Sequence, residues 1–259
     1  MLGLYDSGLG GLTVLAALRA AGIDQDVVYF ADQAHVPYGD KSDGELHGFL
    51  TENLALLGGL GVDAVVTACN TSCAVAQHYG WPATPFPVLD LILTAGRSFA
   101  GTRHRRIAVI ATAATVRSGA YGRAIRAAAP YAHVHEIAAP KLVPIVEGGE
   151  AETAVGRAAV AEIVAQIPPD VEALVFGCTH YPLLDRWFAA ALDPRVERID
   201  PAAAQAAAAK ELVAELELPA GASRTTYYTN GEPHAFARAV RRWTGDTTGR
   251  VASLVALSP

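Results

Sequence analysis

The chain has 259 residues, of which 51% are hydrophobic, and its formal net charge at pH 7 is −6. This length suits one large or two modest α/β domains, and the acidic balance argues against nucleic acid or an anionic membrane as partner. Three cysteines do not suggest a disulfide framework. The first residues lack a basic signal-peptide region and no long apolar span follows, so we expect a soluble cytoplasmic protein.

Apolar runs alternate with stripes of helical spacing, which is typical of parallel sheets covered by helices. The predicted strands are residues 2–5, 27–31, 64–67, 107–111, 133–137, 171–177, 196–199, 227–229 and 251–255, with 88–92 either a strand or a buried turn. The predicted helices are residues 12–18, 43–57, 70–79, 95–105, 116–128, 150–166, 202–216 and 233–244, with one more helix after the Cys178 turn, and residues 33–41 and 138–144 are predicted loops. The basic cluster at 103–105 is interpreted as a solvated helix end.

One ten-residue segment occurs twice. Residues 62–71 align without a gap with residues 171–180, and the alignment pairs acid with acid and Cys69 with Cys178. Similarity between two short strands is common, but the shared acid, small residue and cysteine favour an internal duplication. Each copy would then deliver a thiol to the carboxyl end of a strand, where open α/β sheets bind ligands.

The two paired cysteines are candidates for chemistry. Each should lie between a strand and a helix, where free N–H groups and the helix dipole favour a thiolate. Two buried, inert thiols are the alternative. A zinc site of Cys69, Cys73, Cys178 and His180 matches no common ligand spacing, and Cys73 is interpreted as a small core residue. His180 could tune Cys178, donate to a carboxylate, or be a satisfied interior histidine.

The first turn carries a weak nucleotide-binding pattern. Gly8-x-Gly10-Gly11 follows a strand and Asp32 ends the next one, so a nucleotide-binding oxidoreductase is an alternative. The third glycine is misplaced, however, and we interpret the segment as a turn that presents Asp6 and Ser7, with backbone amides available to an anion. Asp6 and Glu147 are acids at predicted strand or loop ends, and alone either would be an ordinary exposed acid or a helix cap.

Several motifs resemble those of the cofactor-independent glutamate racemases, in the same order across nearly the whole chain. They are LYDSGLGGLT at 4–13, VPYGDKS at 36–42, ACNT at 68–71, ATAATVRSGAY at 111–121, VPIVE at 143–147, GCTHYPL at 177–183 and YTNGEP at 228–233. The resemblance implies two pseudo-symmetric parallel-sheet α/β domains with the active site in the cleft between them. It implies a first domain of residues 1–94 and 205–259 and a second of residues 95–204.

The resemblance also implies racemisation of glutamate by two cysteines, without a cofactor or a metal, to supply D-glutamate for peptidoglycan. Cys69 and Cys178 would be the acid/base pair, assisted by Asp6, Glu147 and His180. The residues that would bind the amino acid are Asp6, Ser7, Tyr38, Gly39, Asn70, Thr71, Thr112, Thr115, Thr179 and His180. Inverting Cα requires a base on one face and an acid on the other. Two thiols about 3–3.5 Å from Cα lie about 7 Å apart, too far for a disulfide.

Three stretches depart from the family pattern. Ala139 replaces the usual Cys, Lys141 replaces an apolar residue, and residues 88–96 lack the usual charged residue and proline. These changes leave the two-thiol chemistry intact and bear on domain closure and substrate choice. A racemase of aspartate is therefore the nearest alternative, and a non-catalytic binding protein with the same fold is another. The expected partner is a small amino acid, not nucleic acid or a membrane, and a homodimer is left open.

Overall fold

Two parallel β-sheets, each covered by helices, form the framework of the protein. This computed structural model describes residues 1–253. The strands are β1 Leu2–Asp6, β2 Val27–Ala31, β3 Ala64–Thr67, β4 Val88–Leu89, β5 Arg106–Ala111, β6 His133–Ala138, β7 Ala173–Gly177, β8 Glu197–Ile199, β9 Thr225–Thr229 and β10 Arg250–Ser253. The helices are α1 Gly11–Ala20, α2 Asp43–Gly59, α3 Asn70–Tyr79, α4 Leu91–Arg97, α5 Ala113–Ser118, α6 Ala120–Ala128, α7 Leu142–Glu147, α8 Ala154–Val164, α9 Asp185–Ala191, α10 Ala202–Glu215 and α11 Pro233–Thr244. Short 3₁₀ turns cover Gln33–His35, Tyr38–Asp40 and Tyr181–Leu184.

The two sheets repeat one strand order. In the first, β1 lies between β2 and β3, with β4 beyond β3; in the second, β5 lies between β6 and β7, with β8 beyond β7. The repeated sequence segment contributes β3 and β7, so Cys69 and Cys178 follow equivalent strands. β9 and β10 add to the first sheet beyond β2. The predicted fold class is confirmed, whereas the exact domain boundaries at residues 94 and 204 stay a prediction.

Successive strand residues point to opposite sides of a sheet, and in the central strands of both sheets the residues on both sides are buried. Leu4 of β1 packs under α1, α10 and α11, whereas the neighbouring Tyr5 packs against α2 and α3. In β5, Ile110 faces α7, α8 and α9, and Val109 faces α4 and α6. This two-sided burial explains why the strands appear as continuous apolar runs in the sequence.

Several elements have the predicted bounds. They are the strands at 27–31 and 64–67 and the helices at 70–79 and 233–244. The capping box is present as well, since Ser42 Oγ accepts a hydrogen bond from Glu45 N at 3.3 Å and Glu45 Oε2 accepts one from Ser42 N at 2.9 Å. These two bonds satisfy donors that the helix itself leaves free.

Other elements differ from their predictions. The helix predicted at 116–128 begins earlier, at Ala113, and is divided by Gly119, whose φ of +62° is left-handed backbone that glycine adopts most easily. The loop predicted at 138–144 contains the start of α7. Pro144 lies in the first turn of this helix, where backbone N–H groups have no intrahelical acceptor, so its lack of an N–H costs no helical hydrogen bond. The basic cluster at 103–105 lies in irregular chain before β5 and not at a helix end, because α4 ends at Arg97.

The final predicted strand is present as β10, and residues 254–255 of that prediction lie outside the described residues. None of the helices between residues 1 and 253 is both long and apolar enough to cross a bilayer.

Candidate active site

The carboxyl ends of the two sheets face each other, and functional side chains from both meet there. Asp6 is the last residue of β1, Cys69 follows β3, and Cys178 follows β7 directly. A hydrogen bond joins the two sides, since Thr179 Oγ1 donates to Asp6 Oδ2 at 3.1 Å. This is the edge at which α/β sheets bind ligands, so these residues define the candidate site.

Cys69 is the N-cap of α3. Its Sγ accepts a hydrogen bond from Ser72 N at 3.5 Å, and the residue is 3% exposed. Burial raises the pKa of the Cys69 thiol to about 12; the charge of Asp6 adds to this effect, and hydrogen bonds from Ser72 and Ser7 oppose it. The expectation of a lowered pKa at this helix end is therefore wrong for Cys69, because loss of hydration outweighs the helix dipole.

Cys178 has a basic neighbour. His180 Nδ1 lies 3.7 Å from Cys178 Sγ, and His180 Nε2 lies 2.6 Å from Glu147 Oε1. Burial lowers the pKa of His180, but its contacts with Cys178 and Glu147 together raise it well above the usual value. The two contacts that were considered separately for His180 are thus both present, and they favour an imidazolium between two acidic groups.

Glu147 ends α7 rather than a loop, and it connects this histidine to the first sheet. Leu9 N donates to Glu147 Oε1 at 2.7 Å, and Gln33 Nε2 donates to Glu147 Oε2 at 3.2 Å. Burial raises the pKa of Glu147, but the hydrogen bond and charge of His180, with these two donors, lower it overall. Glu147 is therefore held as a carboxylate beside His180.

Asp6 is fully buried, which excludes the reading of an ordinary exposed acid. Its Oδ1 accepts a hydrogen bond from Gly8 N at 2.8 Å. Burial raises the pKa of Asp6, and the charge of His180 and the N–H groups of Gly8 and Gly11 lower it by less. A buried carboxyl group with a raised pKa is a common feature of functional sites.

Three threonine hydroxyls link α3 to the start of α5. Thr71 Oγ1 lies 2.9 Å from Thr112 Oγ1 and 3.3 Å from Thr115 Oγ1, and Thr112 Oγ1 lies 3.0 Å from Thr115 Oγ1. All three side chains are buried. The cluster brings together three predicted binding residues and couples the helix behind Cys69 to the second sheet.

Asn70 carries a donor without a partner. Tyr121 Oη donates to Asn70 Oδ1 at 2.5 Å, while Asn70 Nδ2 is buried and has no hydrogen-bond partner within the described part of the chain. Leaving a buried donor unsatisfied costs about 1–3 kcal/mol. The amide is therefore available to an acceptor such as a substrate carboxylate.

Close backbone contacts bring the remaining predicted residues together. A Cβ on Gly10 would overlap Thr179 and His180, and one on Gly39 would lie 3.1 Å from Thr112 Cβ. Ser7 contacts Cys69. Tyr38 is buried, and its hydroxyl donates to Asp32 Oδ2 and lies 2.9 Å from Tyr5 Oη. The turn after β1 thus packs directly on the Cys178 motif, and every predicted site residue belongs to this region or its immediate surroundings.

The alternatives from the sequence receive no support from this geometry. Gly8 and Gly10 pack against Glu147 and Thr179, and the carboxylate of Asp32 is used by neighbouring side chains, so neither is free for a nucleotide. Within residues 1–253 no three His, Cys, Asp or Glu side chains gather as a metal ion would require. Cys73 is fully buried in an apolar cluster, as interpreted.

The sequence did not point to Tyr5 and Ser72. Tyr5 Oη lies 2.9 Å from both Ser72 Oγ and Tyr38 Oη, and all three groups are buried. The available signal was their position, because Tyr5 precedes Asp6 and Ser72 follows Thr71 in the motifs, but their contact across 67 residues is not visible in sequence.

Comparison with known proteins gives a consistent result. Residues 13–209 match the family described as Asp/Glu/Hydantoin racemase. A protein of Gloeobacter violaceus named glutamate racemase is 43% identical over 251 residues, which cover 94% of this chain and 92% of that protein. The solved glutamate racemase RacE1 of Bacillus anthracis has a TM-score of 0.90 and 29% identity, over 98% of this chain and 96% of that one. The Francisella tularensis glutamate racemase, solved in complex with D-glutamate, has a TM-score of 0.86 and 27% identity, over 97% and 96%.

Proposed function

Because the chain belongs to the Asp/Glu/hydantoin racemase family, we propose that it interconverts L- and D-glutamate, with Cys69 and Cys178 acting on opposite faces of Cα. The chain is an amino-acid racemase, and the two-cysteine mechanism is the part proposed here. The observation that carries it is the placement of one thiol after each of two equivalent strands, β3 and β7, at a common edge. Inversion requires such a pair of opposed acid/base groups.

In each turnover one sulfur is a thiolate and the other a thiol. The thiolate takes the proton from Cα, and the electron pair of the broken C–H bond passes into the adjoining carboxylate of the substrate. The thiol on the opposite face then donates its proton to Cα. The two sulfurs have exchanged protonation states at the end, and the same residues with exchanged roles carry out the reverse reaction.

The surrounding residues support this chemistry. On the Cys178 side, the imidazolium of His180 stabilises a thiolate, and Glu147 stabilises that imidazolium. Asn70 Nδ2 and the hydroxyls of Ser7, Thr71, Thr112 and Thr115, together with the N–H of Gly39, would supply donors for the two carboxylates of the substrate. The hydroxyls of Tyr38 and Thr179 donate to Asp32 and Asp6, so these two residues would contact the substrate without donating to it. Hydroxyl and amide donors bind anions without requiring a basic protein. Asp6 would act beside Cys69, and the site needs no bound cofactor for these steps.

We further propose the cellular role that the family implies, which is cytoplasmic supply of D-glutamate for peptidoglycan and so for cell-wall formation. The two sheets would move as domains of residues 1–94 with 205–259 and residues 95–204. A homodimer is a separate proposal, and the sedimentation coefficient of the purified chain would test it.

The deciding experiment is deuterium incorporation at Cα of L- and D-glutamate in D₂O, followed by proton NMR without added cofactor. The unmodified chain should exchange and invert glutamate, and Cys69→Ser and Cys178→Ser should each lose inversion by more than about 100-fold, the scale of general acid/base catalysis. Cys73→Ala is the matched control, since this third cysteine is buried in the core, and it should remain active. Exchange of aspartate alone would refute the substrate, and full inversion in either serine variant would refute the mechanism.

A further inference from the structure

The chain passes twice between the two sheets, and a buried glutamine lies where the two crossings meet. The first crossing runs from β4 through α4 to β5, and the second runs from β8 through α10 to β9. The helices α4 and α10 pack against each other. Gln205 lies in the first turn of α10 and is fully buried. A buried polar side chain needs hydrogen-bond partners within the protein, and the partners of Gln205 come from the first crossing and from β3.

The side-chain amide of Gln205 has one orientation, which its partners determine. Its Nε2 has two hydrogens and donates to Thr67 O at 2.9 Å and to Leu89 O at 3.2 Å. Its Oε1 accepts from Thr94 Oγ1 at 2.6 Å, a hydroxyl that also lies 3.0 Å from Leu91 O in its own helix. Turning the amide around would place its oxygen against two carbonyl oxygens, neither of which has a hydrogen. Gln205 therefore joins the ends of β3 and β4 to α4.

The carbonyl of Thr67 belongs to the peptide group through which the chain leaves β3. The pairing of β3 with β4 ends one residue earlier, so Gln205 supplies a donor just beyond the ladder. The N–H of the same peptide group is that of Ala68, and it donates to Tyr5 O of β1 at 2.8 Å. Because a peptide group is planar, bonds on both sides fix its orientation. Cys69 is the next residue, so this orientation sets the direction in which the chain carries the sulfur into the site.

The other crossing carries a different residue at the equivalent position. Asp90 follows β4 and Asp200 follows β8, and these two strands occupy equivalent places in the two sheets. Gln205 lies five residues after Asp200, and the residue five after Asp90 is Ala95, which packs in the apolar cluster between α4 and α6. An alanine side chain has no hydrogen-bond donor. The bond that Gln205 makes therefore acts on the Cys69 side of the site and has no counterpart from Ala95.

We propose that Gln205 is a positioning residue for racemisation, which holds the end of β3 so that the sulfur of Cys69 meets Cα at reacting distance. It acts through the backbone between Thr67 and Ala68 and not on the substrate. Its bond to Thr94 ties the same strand end to α4, which packs on β5 and β7 of the second sheet, so Cys69 is aligned relative to the sheet that carries the other sulfur. The proposal rests on the proposed two-cysteine reaction and adds what aligns one of its two thiols.

A purely structural role for Gln205 makes a different prediction. Loss of buried hydrogen bonds lowers the fraction of folded protein, which reduces the rate without changing the chemistry of the molecules that remain folded. Misplacement of one sulfur does change the chemistry, because proton transfer at Cys69 becomes slower relative to proton transfer at Cys178. The kinetic isotope effect of deuterium at Cα separates the two roles, since it does not depend on the amount of folded enzyme.

The isotope effect should respond differently for the two enantiomers. Each enantiomer gives its Cα proton to one sulfur and receives a proton from the other. Deuterium at Cα therefore slows abstraction but not donation, which uses hydrogen from the solvent. When transfer at Cys69 is slowed, abstraction limits the rate more fully for the enantiomer that Cys69 deprotonates, and its isotope effect on kcat/KM rises. For the other enantiomer donation limits the rate, and its isotope effect falls towards unity.

The test measures kcat/KM of Gln205→Met for L- and D-glutamate that carry hydrogen or deuterium at Cα. Methionine keeps the length of the side chain and removes both donor hydrogens. We expect kcat/KM to fall by about 10- to 100-fold, and the isotope effects of the two enantiomers to change in opposite directions. These changes should have the same sense as in Cys69→Ser and the opposite sense to those in Cys178→Ser.

Gln25→Met is the matched control. Gln25 is buried at the other end of the first sheet, and its Nε2 also donates to two carbonyl oxygens, Leu218 O at 3.3 Å and Pro219 O at 3.4 Å. Its replacement therefore removes the same groups and should leave both isotope effects unchanged.

Gln205→Asn is the second variant should Gln205→Met fail to fold. Asparagine keeps a polar amide but is one methylene shorter, which withdraws the donor from Thr67 O, so the same opposed isotope effects are expected. Isotope effects that stay unchanged for both enantiomers in the Gln205 variant that folds, or that change in the sense of Cys178→Ser, would overturn the proposal. Loss of deuterium exchange and inversion in the unmodified chain would instead count against the proposed function.

Discussion

Replacing Glu147 by glutamine tests the charged contacts beside Cys178. Glutamine keeps the size of the side chain and an oxygen for Leu9 N, but it removes the negative charge that lies 2.6 Å from His180 Nε2. The two side chains are 15% and 2% exposed, so little solvent screens them. A hydrogen bond to a charged group contributes about 1.5–3 kcal/mol, which corresponds to an increase of about 10- to 150-fold in the acid dissociation constant of the imidazolium.

The pH dependence of stability follows from the two shifted pKa values. The pKa of His180 is higher in the folded protein than in the unfolded chain, where it is about 6.5. Its stabilising effect is therefore fully present below pH 6.5 and is lost as pH rises through the pKa of the folded protein. The lowered pKa of Glu147 gives stability that is present above the unfolded value of about 4.3 and is lost as pH falls through the folded pKa. Glu147→Gln should therefore cost the most between about pH 4.3 and 6.5.

Urea denaturation at pH 6 and pH 10 measures this difference, and ¹⁵N NMR of the imidazole follows the titration of His180 itself. We expect a loss of about 1.5–3 kcal/mol in the free energy of unfolding at pH 6 and a smaller loss at pH 10. The matched control is Glu162→Gln, which breaks an exposed pair with Lys141 and should cost less than about 1 kcal/mol at either pH. An equal loss for Glu147→Gln at both pH values would refute the charged pair.

Three further changes test other parts of the structure. Tyr121→Phe removes the donor to Asn70 Oδ1, and we expect KM for glutamate to rise about tenfold, for a bond of about 1.4 kcal/mol, in steady-state assays. Asp6→Asn replaces a buried carboxyl group, whose pKa burial raises, by an uncharged amide. Ionisation of Asp6 destabilises the unmodified chain as pH rises, so the Tm of the variant relative to that of the unmodified chain should increase from pH 4 to pH 8 in calorimetry, while activity is lost. Ser42→Ala breaks the capping box and should cost about 1 kcal/mol in urea denaturation.

Each of these changes has an outcome that would contradict its reasoning. A change of kcat without KM in Tyr121→Phe would mean that Asn70 does not bind the ground state of the substrate. A Tm difference that shrinks towards pH 8 in Asp6→Asn would mean that the N–H donors outweigh burial. An unchanged free energy of unfolding in Ser42→Ala would mean that water replaces the cap, and Thr51→Ala, on the exposed side of the same helix, is the control.

Local patterns predicted the framework because they depend on neighbours in the sequence. The buried strand at 27–31 and the amphipathic helix at 233–244 carry complete signals of burial and capping, and their bounds are as predicted. Pro144 misled the reading of the next segment, because a proline in the first turn of α7 has the same sequence as a proline in a loop. From the sequence, Gly119 could equally have been a glycine inside one continuous helix, and only its positive φ shows that the helix is interrupted there.

The candidate site was predictable where a motif lists the residues and not where distant side chains meet. The motifs named both cysteines, but the sign of the Cys69 pKa shift depends on how completely the surrounding helices exclude water, which no motif records. The contact between Tyr5 and Ser72 likewise depends on β1 and β3 being neighbours in the first sheet, because α3 follows β3. Composition and spacing carry no such information.

The return of β9 and β10 to the first sheet has a consequence for synthesis on the ribosome. The strands of the second sheet all lie between residues 106 and 199, so this sheet can be completed as one continuous stretch of emerging chain. β2, made much earlier, keeps an open edge until Thr225–Thr229 has been translated. The amino-terminal part of the nascent protein must therefore remain incomplete, with pairing groups exposed, while the part that follows it is already finished.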